Sequence, residues 1–461
     1  MALPLRVHRL DAWVDPADAF VALFGAAAED GAVLEDAVWL DSGPEAVDGR
    51  SYIGTGRVRA TASVADGTAT LAGVTSPGGI LDLLRPDLAA HAAPDAPGHP
   101  LGWWGRLGYE AGAAAAGAPV AATTGWDAAL LLVDRLIAFD HAERTVEVVA
   151  GDDEDGRAWI AHAVAAITPA SCAARAYEET HPVPSSLTSW RDDDAGYLSA
   201  IVACQEAIRA GDAYQLCLTN RADARTDADP LAVHLRLRRS SPAPQGGFVR
   251  IGGDVLVSSS PEEFLRVTAD GRVRTRPIKG TRPRGATPEA DAALRAELVA
   301  SDKERAENVM IVDLMRNDLG RVCEVGSVEV SSLLAVESYA QVHQLVSTVE
   351  GRLRPGLGAV DAVAACFPAG SMTGAPKLSA MRILNRLEGG PRGAFAGCFG
   401  YLAADGSAAL AMVIRSLHFT AGAVTIGAGG GITALSVPEE ELEEVRVKAA
   451  ALLAAAGLTV P

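Results

Sequence analysis

The order of strand-like and helix-like segments constrains the fold of this 461-residue chain most strongly. Runs rich in β-branched residues, and a hairpin that turns at the Ala-Asp-Gly of 404–406, are separated by segments with helical periodicity. The strand-like runs are 255–260, 397–419 and 422–432, and the helical segments are about 303–317, 359–366, 376–387 and 438–456. They do not alternate as regular β-α-β units, so we expect an α+β fold and not a doubly wound parallel sheet.

The first 170 residues mix short β-like runs with loops rich in Gly, Ala, Pro and Asp. The polar segment at 178–194 has the composition of a linker. A chain of this length can hold two or three domains or one large one. We therefore predict an N-terminal region at 1–180 and a second region at 190–461.

The formal net charge of −18 argues against a nucleic-acid or anionic-membrane surface, because either needs a basic face. No apolar run reaches membrane-spanning length, and the N-terminus lacks a cleavable signal pattern. The six cysteines form no CxxC pair, which fits a reducing compartment. We expect a cytoplasmic protein that binds neither nucleic acid nor membrane.

Lysine is rare in this chain: of 40 lysines and arginines together, four are lysines, namely Lys279, Lys303, Lys377 and Lys448. A lysine can lose its proton when desolvated and act as a nucleophile, whereas arginine stays protonated. Lys279 lies in the basic stretch 274–285, RTRPIKGTRPRG. The local pattern leaves two readings open, a reactive amine or a solvated charge.

Two pairs of glutamates recur at helical i, i+3 spacing. Glu304 and Glu307 follow Ser301, a plausible N-cap, and Glu441 and Glu444 lie in the C-terminal helix with Lys448. Carboxylates on two helices suit Mg²⁺, which takes few protein ligands and leaves room for a substrate. The alternative is an ordinary exposed helix with a Glu444–Lys448 pair.

Three further segments could carry chemistry. Glu262, next to Glu263 at a predicted strand end, could be a general acid or a solvated loop residue. The glycines of 427–432 would let backbone N–H groups approach an anion. Residues 368–381 contain glycines and a lysine, but their spacing departs from that of a nucleotide-binding P-loop.

Taken together, these segments resemble the chorismate-utilising enzymes, which include component I of anthranilate synthase, component I of aminodeoxychorismate synthase, and the isochorismate and salicylate synthases. The resemblance covers essentially all of 190–455. It rests on GDAYQLCLTNR (211–221), SSSPEEFL (258–265), PIKGTRPRG (277–285), ERAENVMIVDLMRNDLGRV (304–322), FPAGSMTGAPK (367–377), GYLAADG (400–406), VIRSL (413–417) and GAGGGI with PEEELEEVRVKA (427–449). The N-terminal region matches more loosely, through 39–43, 102–112 and 135–141.

The resemblance implies one large α/β sandwich of two antiparallel sheets flanked by helices, with both regions in the same overall fold. It also implies a Mg²⁺-dependent chorismate site, in which Glu262 protonates the departing C4 hydroxyl. The metal would be held by Glu304, Glu307, Glu441 and Glu444. The substrate would be bound by Gln215, Gly280, Ser371, Thr373, Phe395, Arg415, Gly429, Gly431 and Lys448.

Two positions separate the branches of this family. Isochorismate and salicylate synthases carry a lysine base where this chain has Gln215, so water addition is disfavoured. Anthranilate synthases usually read PIAGT where this chain reads PIKGT, and the lysine is typical of aminodeoxychorismate synthase. There the amine attacks C2 as the C4 hydroxyl leaves, and ammonia then attacks C4. We expect burial, the metal and the neighbouring Arg276, Arg282 and Arg284 to lower the pKa of Lys279.

The expected product is therefore 4-amino-4-deoxychorismate, a precursor of 4-aminobenzoate and folate. The alternatives are anthranilate synthase component I, a 2-amino-2-deoxyisochorismate synthase, or a non-catalytic binding regulator. The sequence has no nucleophile-elbow cysteine with a His/Glu pair, so we expect ammonia from a separate glutamine amidotransferase subunit or from free ammonium.

The chain departs from the family pattern at two positions. Phe395 replaces a common tyrosine, and Gln344 replaces a histidine, with His343 one residue earlier. A lone strand histidine is more often structural than catalytic, and the resemblance leaves the role of His343 open. In relatives, the region matching Leu40, Asp41 and Ser42 lies by a tryptophan pocket, so these residues are candidates for an effector site.

Overall fold

The structure is a computed structural model that describes residues 4–25, 34–91, 98–339 and 342–460. Its strands are β1 (Leu5–Arg9), β2 (Ala37–Asp41), β3 (Arg50–Thr55), β4 (Val58–Ser63), β5 (Thr68–Leu71), β6 (Val74–Pro77), β7 (Gly102–Leu107), β8 (Ala128–Val133), β9 (Arg135–Asp140), β10 (Thr145–Gly151), β11 (Ser186–Trp190), β12 (Gln215–Arg225), β13 (Gln245–Ile251), β14 (Asp254–Ser260), β15 (Glu263–Val267), β16 (Arg272–Thr275), β17 (Ile278–Pro283), β18 (Glu329–Ser338), β19 (Val342–Arg352), β20 (Gly374–Ala375), β21 (Cys398–Ala403), β22 (Ala408–Met412), β23 (Ser416–Thr420), β24 (Ala423–Ile432) and β25 (Leu458–Thr459). Its helices are α1 (Pro16–Phe24), α2 (Ile80–Ala90), α3 (Tyr109–Ala115), α4 (Glu154–Ile167), α5 (Ala173–Thr180), α6 (Asp194–Arg209), α7 (Pro230–Ser240), α8 (Pro288–Ala300), α9 (Asp302–Gly320), α10 (Ala359–Cys366), α11 (Lys377–Leu387) and α12 (Pro438–Ala455).

The strands form two large sheets. The first has the order β1-β10-β9-β3-β2-β13-β14-β23-β24-β12-β11-β25, with β20 paired to β12. The second has the order β17-β19-β16-β15-β22-β21-β7-β8-β4-β5-β6, with β18 paired to β19. Within the described residues, β11 and β25 are the one parallel pair of strands, and the other pairs are antiparallel. The predicted α+β sandwich of two antiparallel sheets is confirmed.

The core has three layers because both sheets bury both of their faces. Side chains from the two sheets, such as Val249 and Trp104, meet in a central layer. The first sheet packs its other face against α6 and α12, among others, and the second sheet packs against α9 and α10. Successive strand residues point to opposite faces, so Trp103 belongs to an outer layer while Trp104 belongs to the central one.

Strands from both ends of the sequence alternate within each sheet. β2 pairs with β13 in the first sheet, and β7 pairs with β21 in the second. The regions 1–180 and 190–461 therefore share their hydrogen-bond ladders and their core.

The interpretation of 178–194 as a linker is wrong. The segment contains the end of α5 and strand β11, which pairs with β12 on one side and with β25 on the other. Within this strand Thr188 is buried, while Leu187 is exposed. A short polar strand near the edge of a sheet has the composition of a loop, because few of its side chains enter the core.

The helices that carry the candidate ligands have the predicted boundaries to within a few residues. Ser301 caps α9, and its hydroxyl accepts a hydrogen bond from the Glu304 N–H at 3.4 Å. Pro438 lies in the first turn of α12. Among the helices of the described ranges, none is both long enough and apolar enough to cross a bilayer.

Candidate active site

Lys279 lies on the edge strand of the second sheet, where the strand pairing is irregular. The register between β17 and β19 shifts between Ile278 and Thr281, and Gly280 has a φ of +91°. This shift turns the lysine inward, where its side chain is 12% exposed and its Nζ lies 3.8 Å from Glu307 Oε2. Lys279 is therefore not a solvated loop charge.

The pKa of Lys279 does not follow the expectation from sequence. Burial by itself lowers it, but the nearby Glu307, with further contributions from Glu262 and Glu444, outweighs burial and raises the pKa above its ordinary value. The three arginines expected to lower it are engaged elsewhere. Arg276 pairs with Glu337, Arg282 with Glu297 and Glu304, and Arg284 with Asp291. Without a metal, this lysine is a protonated counter-ion to the carboxylates.

Glu262 is buried immediately before β15. Ser371, in a short 3-10 turn (Gly370–Met372), donates a hydrogen bond from its Oγ to Glu262 Oε1 at 2.8 Å. Burial raises the pKa of this carboxyl to about 7, despite the hydrogen bond from Ser371 and the positive charges of Lys279 and Lys448. A carboxyl that titrates near neutrality can hold a proton for transfer, so its environment suits a general acid.

The raised pKa of Glu262 predicts a pH-dependent gain in stability for Glu262→Gln. Between about 4.5 and about 7 the folded chain holds a proton that the unfolded chain has released. The unfolding free energy of the wild type therefore falls as pH rises through this window. Above the window the whole loss is present, at most about 3 kcal/mol. Glutamine has no such cost. We expect Glu262→Gln to unfold at a higher temperature than the wild type at about pH 8 and to lose this advantage near about pH 4.

Thermal unfolding followed by circular dichroism in EDTA measures this difference, and Glu263→Gln is the comparison. Glu263 is also buried, but Arg266 and Arg274 bind its carboxylate at 2.7 and 2.9 Å and hold its pKa below the ordinary value. The Glu263→Gln variant should be less stable than the wild type at about pH 8, because the substitution leaves two arginines unpaired. Equal effects of the two substitutions would contradict the assignment.

Each of the four predicted metal ligands is paired with a cation of the chain. The shortest N···O distances are 3.5 Å for Glu304 with Arg282, 3.8 Å for Glu307 with Lys279, 2.7 Å for Glu441 with Lys303 and 2.6 Å for Glu444 with Lys448. Within the described residues, no three His, Cys, Asp or Glu side chains are close enough together to hold a metal ion. Three lysines and one arginine thus balance the carboxylates that are predicted to bind Mg²⁺.

The donor set nevertheless fits a hard cation. The four carboxylates come from two helices and supply the oxygen ligands that Mg²⁺ prefers. Glu441 Oε2 is buried and has no hydrogen-bond partner among the described residues, which leaves a carboxylate oxygen available for a ligand. Burial also raises the pKa of Glu307, as does the charge of Glu304, so adding positive charge here relieves repulsion.

Glycines on two strands make room for these carboxylates. A Cβ on Gly430 would lie 2.9 Å from Glu441 Oε2, and one on Gly280 would lie 3.1 Å from Glu304 Oε2. On Gly431, a Cβ would lie 2.3 Å from Gln215 Nε2 and 2.9 Å from Glu307 Oε2. The glycine-rich run therefore admits side chains close to the backbone, and the site joins β24 of the first sheet to β17 of the second.

This packing predicts that Gly431→Ala damages the site more than the fold. The three atoms nearest to the added methyl group, including Lys279 Nζ at 3.3 Å, are ends of flexible side chains. We expect a loss of turnover of about a hundredfold or more, with a change in unfolding free energy below about 1.5 kcal/mol. Gly429→Ala is the contrast, because its methyl group would meet the backbone oxygen of Leu218 at 2.4 Å and should destabilise the fold. Similar unfolding curves for the two variants would contradict this reading.

The other predicted substrate residues divide into two groups. Gln215 Oε1 is buried without a partner, and the Arg415 side chain makes no hydrogen bond or ion pair within the described ranges, so both can accept a ligand. The Thr373 hydroxyl instead donates to the backbone oxygens of Ala369 and Gly370, so its hydrogen is already used within the chain.

The remaining two substrate residues touch the glycine strand. The Phe395 ring packs on Gly427, where a Cβ would lie 2.1 Å from Cγ, and Lys448 donates from its Nζ to the Gly429 oxygen at 2.7 Å.

The predicted effector residues line a cleft of about 710 Å³ that also includes Pro261 and Arg415. Asp41 binds Arg238 at 2.8 Å and accepts a hydrogen bond from Ser51 at 3.1 Å. The Ser42 hydroxyl donates to the Arg50 oxygen at 2.9 Å. The polar side chains of Asp41 and Ser42 thus have hydrogen-bond partners within the chain, and the Leu40 side chain is half-buried in the wall of the cleft.

His343 points away from the site. Its ring nitrogens lie 2.7 Å from Ser338 Oγ and 3.0 Å from Asp291 Oδ1, so it ties β19 to β18 and α8. Gln344, which replaces the family histidine, is buried and lines the cleft.

Lys303 was not among the predicted site residues. It is one of four lysines in the chain, and this rarity could have identified it as a candidate.

Similarity to known proteins extends over most of the chain. The chorismate binding enzyme family matches residues 37–454. An aminodeoxychorismate synthase of Streptomyces griseus is 45% identical over 89% of this chain and 57% of its own length, and one of Streptomyces pristinaespiralis is 43% identical over 82% and 54%. The chain thus spans about half the length of these two relatives.

A similar solved structure is anthranilate synthase component I from Streptococcus pneumoniae. This chain is 25% identical to that crystal structure in sequence and matches its fold with a TM-score of 0.77. The match covers 96% of this chain and 99% of the other. The two-sheet fold and the family match agree, and the chain belongs to the chorismate binding enzyme family.

Proposed function

We propose that this chain converts chorismate and ammonia to 4-amino-4-deoxychorismate, acting as the synthase component of an aminodeoxychorismate synthase. The observation that carries the proposal is a lysine amine buried beside Glu307 in a site that also contains the acid Glu262. An amine in this position can form a covalent bond to substrate, which neither arginine nor alanine could do. The 45% identity to an aminodeoxychorismate synthase supports the same reaction.

In the first step, the neutral Lys279 amine attacks C2 of chorismate and forms a C–N bond. Both ring double bonds shift, from C1=C2 and C5=C6 to C1=C6 and C4=C5, the C4–O bond breaks, and the hydroxyl leaves as water with a proton from Glu262. In the second step, ammonia attacks C4, both double bonds shift back, and the C2–N bond breaks to release Lys279 as a neutral amine. Glu262 takes up the proton that the new C4 ammonium loses, so one ammonia is consumed and one water is formed.

Glu304, Glu307, Glu441 and Glu444 would hold Mg²⁺. When bound, the ion supplies positive charge for the ring carboxylate of chorismate and offsets the carboxylates that raise the pKa of Lys279. Arg415, which has no carboxylate partner within the described residues, would bind a second anionic group of the substrate. Gln215 cannot take a proton, so the site lacks at that position a base for adding water.

The second candidate is anthranilate synthase component I. An anthranilate synthase component 1 of Streptomyces coelicolor is 37% identical over 98% of this chain and 88% of its own length, a fuller match in length than that of the aminodeoxychorismate synthases above. In such an enzyme, nitrogen would enter at C2 and Lys279 would be idle.

Product identity separates the candidates. The purified chain is incubated with chorismate, Mg²⁺ and ammonium chloride at alkaline pH, and the products are identified by mass and fluorescence. We expect 4-amino-4-deoxychorismate, while fluorescent anthranilate would favour the second candidate. Saturable chorismate binding without turnover would favour a regulator. With glutamine as the nitrogen source, turnover should require an added glutamine amidotransferase.

A further inference from the structure

We infer that Lys303 occupies the place of the cation in the metal-free site and thereby sets the affinity of this chain for Mg²⁺. The inference rests on the metal site of the proposed function and concerns a residue outside the predicted site.

Lys303 links the two helices that carry the candidate ligands. From the first turn of α9, its Nζ donates to Glu441 Oε1 of α12 at 2.7 Å. It lies four residues before Glu307, so the two share one face of α9. A single ammonium thus lies where the carboxylates of two helices approach each other.

The charges around Lys303 are those of the predicted ligand shell. Lys303 Nζ contacts Glu441 of α12 directly, and Glu304 and Glu307 follow Lys303 within the first two turns of α9. One protein cation therefore lies beside predicted ligands from both helices. A metal ion bound by the same carboxylates would lie close to the ammonium, and the two positive charges would repel each other.

In the Lys303–Glu441 ion pair, the lysine side chain can move into solvent, whereas the glutamate side chain is buried. The Glu441 side chain is 2% exposed, whereas that of Lys303 is 35% exposed. A buried carboxylate without a counter-ion is strongly unfavourable, so Glu441 needs a cation at all times. Lys303 can swing to solvent once a metal ion satisfies Glu441. Mg²⁺ binding must displace the lysine from Glu441. The apparent affinity for Mg²⁺ is therefore lowered by the free energy of that displacement.

The rarity of lysine in this chain is consistent with such a role. Each of the four lysines pairs with a carboxylate, and the one pair remote from the metal ligands, Lys377 with Asp318, lies toward the other end of α9. A compact ammonium can stand in for a cation and then withdraw, while a guanidinium is a larger, planar donor.

The test measures Mg²⁺ binding without substrate, by isothermal titration calorimetry on the full chain after treatment with EDTA. Removing the charge with Lys303→Met should tighten Mg²⁺ binding by about tenfold or more, because the buried Glu441 loses its competing partner. Lys303→Gln, which keeps a hydrogen-bond donor, should also bind more tightly than the wild type. Lys303→Arg retains the charge and should remain within about threefold of the wild type.

Arg305→Met is the matched control, since it removes one positive charge from the same turn of α9. Arg305 is exposed, and its side chain donates to the Val299 oxygen at 3.4 Å without pairing with a predicted ligand. Its Mg²⁺ affinity should stay within about twofold of the wild type, because exposed charges are well screened.

Thermal unfolding provides a second readout. In EDTA, Lys303→Met should unfold at a lower temperature than the wild type, and saturating Mg²⁺ should raise its midpoint by more than it raises that of the wild type. Unchanged or weaker Mg²⁺ binding in both Lys303→Met and Lys303→Gln, with wild-type binding intact, would overturn the inference alone. A folded wild-type chain that binds no Mg²⁺ would instead defeat the metal site and with it the proposed function.

Discussion

Lys279→Ala is expected to lose at least about a thousandfold in ammonia-dependent turnover, because the nucleophile that forms the covalent intermediate is gone. Chorismate and Mg²⁺ binding should persist, since the predicted ligands Glu304, Glu441 and Glu444 pair with other cations. Steady-state kinetics with ammonium chloride give the first quantity, and calorimetry gives the second.

Lys279→Arg separates a nucleophile from a counter-ion. Arginine keeps the positive charge beside Glu307 but cannot release a proton, so this variant should be as inactive as Lys279→Ala. Recovery of turnover in the arginine variant would mean that the lysine acts only through its charge.

The covalent step can also be observed directly. Without ammonia, the wild-type chain incubated with chorismate and Mg²⁺ should gain the mass of chorismate minus one water, on the peptide that contains Lys279. The adduct should be absent from Lys279→Ala. A fully active Lys279→Ala chain would remove the covalent route altogether.

Glu262→Gln is expected to lose about 10² to 10⁴ in turnover, because the C4 hydroxyl leaves slowly unless it receives a proton. The amide preserves the size of the side chain and can still accept the hydrogen bond that Ser371 donates at 2.8 Å. Substrate binding should therefore change little, and the loss should fall on kcat and not on KM.

Glu263→Gln is again the comparison, since its carboxylate binds Arg266 and Arg274 and has no role in the proposed reaction. Turnover per folded molecule should remain close to that of the wild type. Glu262→Gln should combine this loss of activity with the gain in stability at about pH 8, an expected trade-off at a site that holds a buried acid. Full activity in Glu262→Gln would assign the proton to another donor.

Much of the fold could be predicted from the sequence. Helix α9 begins directly after its predicted cap Ser301, and α12 begins at 438 as predicted, because a cap and a first-turn proline act locally. The α+β class followed from the order of the segments. Strand β11 was missed because its pairing with β12 and β25 is a long-range property that its polar composition does not encode.

The candidate site was less accessible to sequence reasoning. The i, i+3 spacing identifies two carboxylate pairs, Glu304 with Glu307 and Glu441 with Glu444, and the family resemblance assigns both pairs to one metal ion. Neither indicates that every one of these carboxylates has a cation of the chain beside it. Nor does local sequence show that Thr373 donates to its own backbone or that His343 binds Asp291.

What the sequence by itself determined is the set of chemical groups: a rare lysine in PIKGT, an acid before β15, two pairs of glutamates and a run of glycines. What only the tertiary structure decided is the charge state in which these groups meet. The arginines beside Lys279 in the sequence point to other partners, whereas Glu307, from another element, raises its pKa. The physical reason is that electrostatic energy depends on distance and burial, and both are fixed by packing between elements far apart in the sequence.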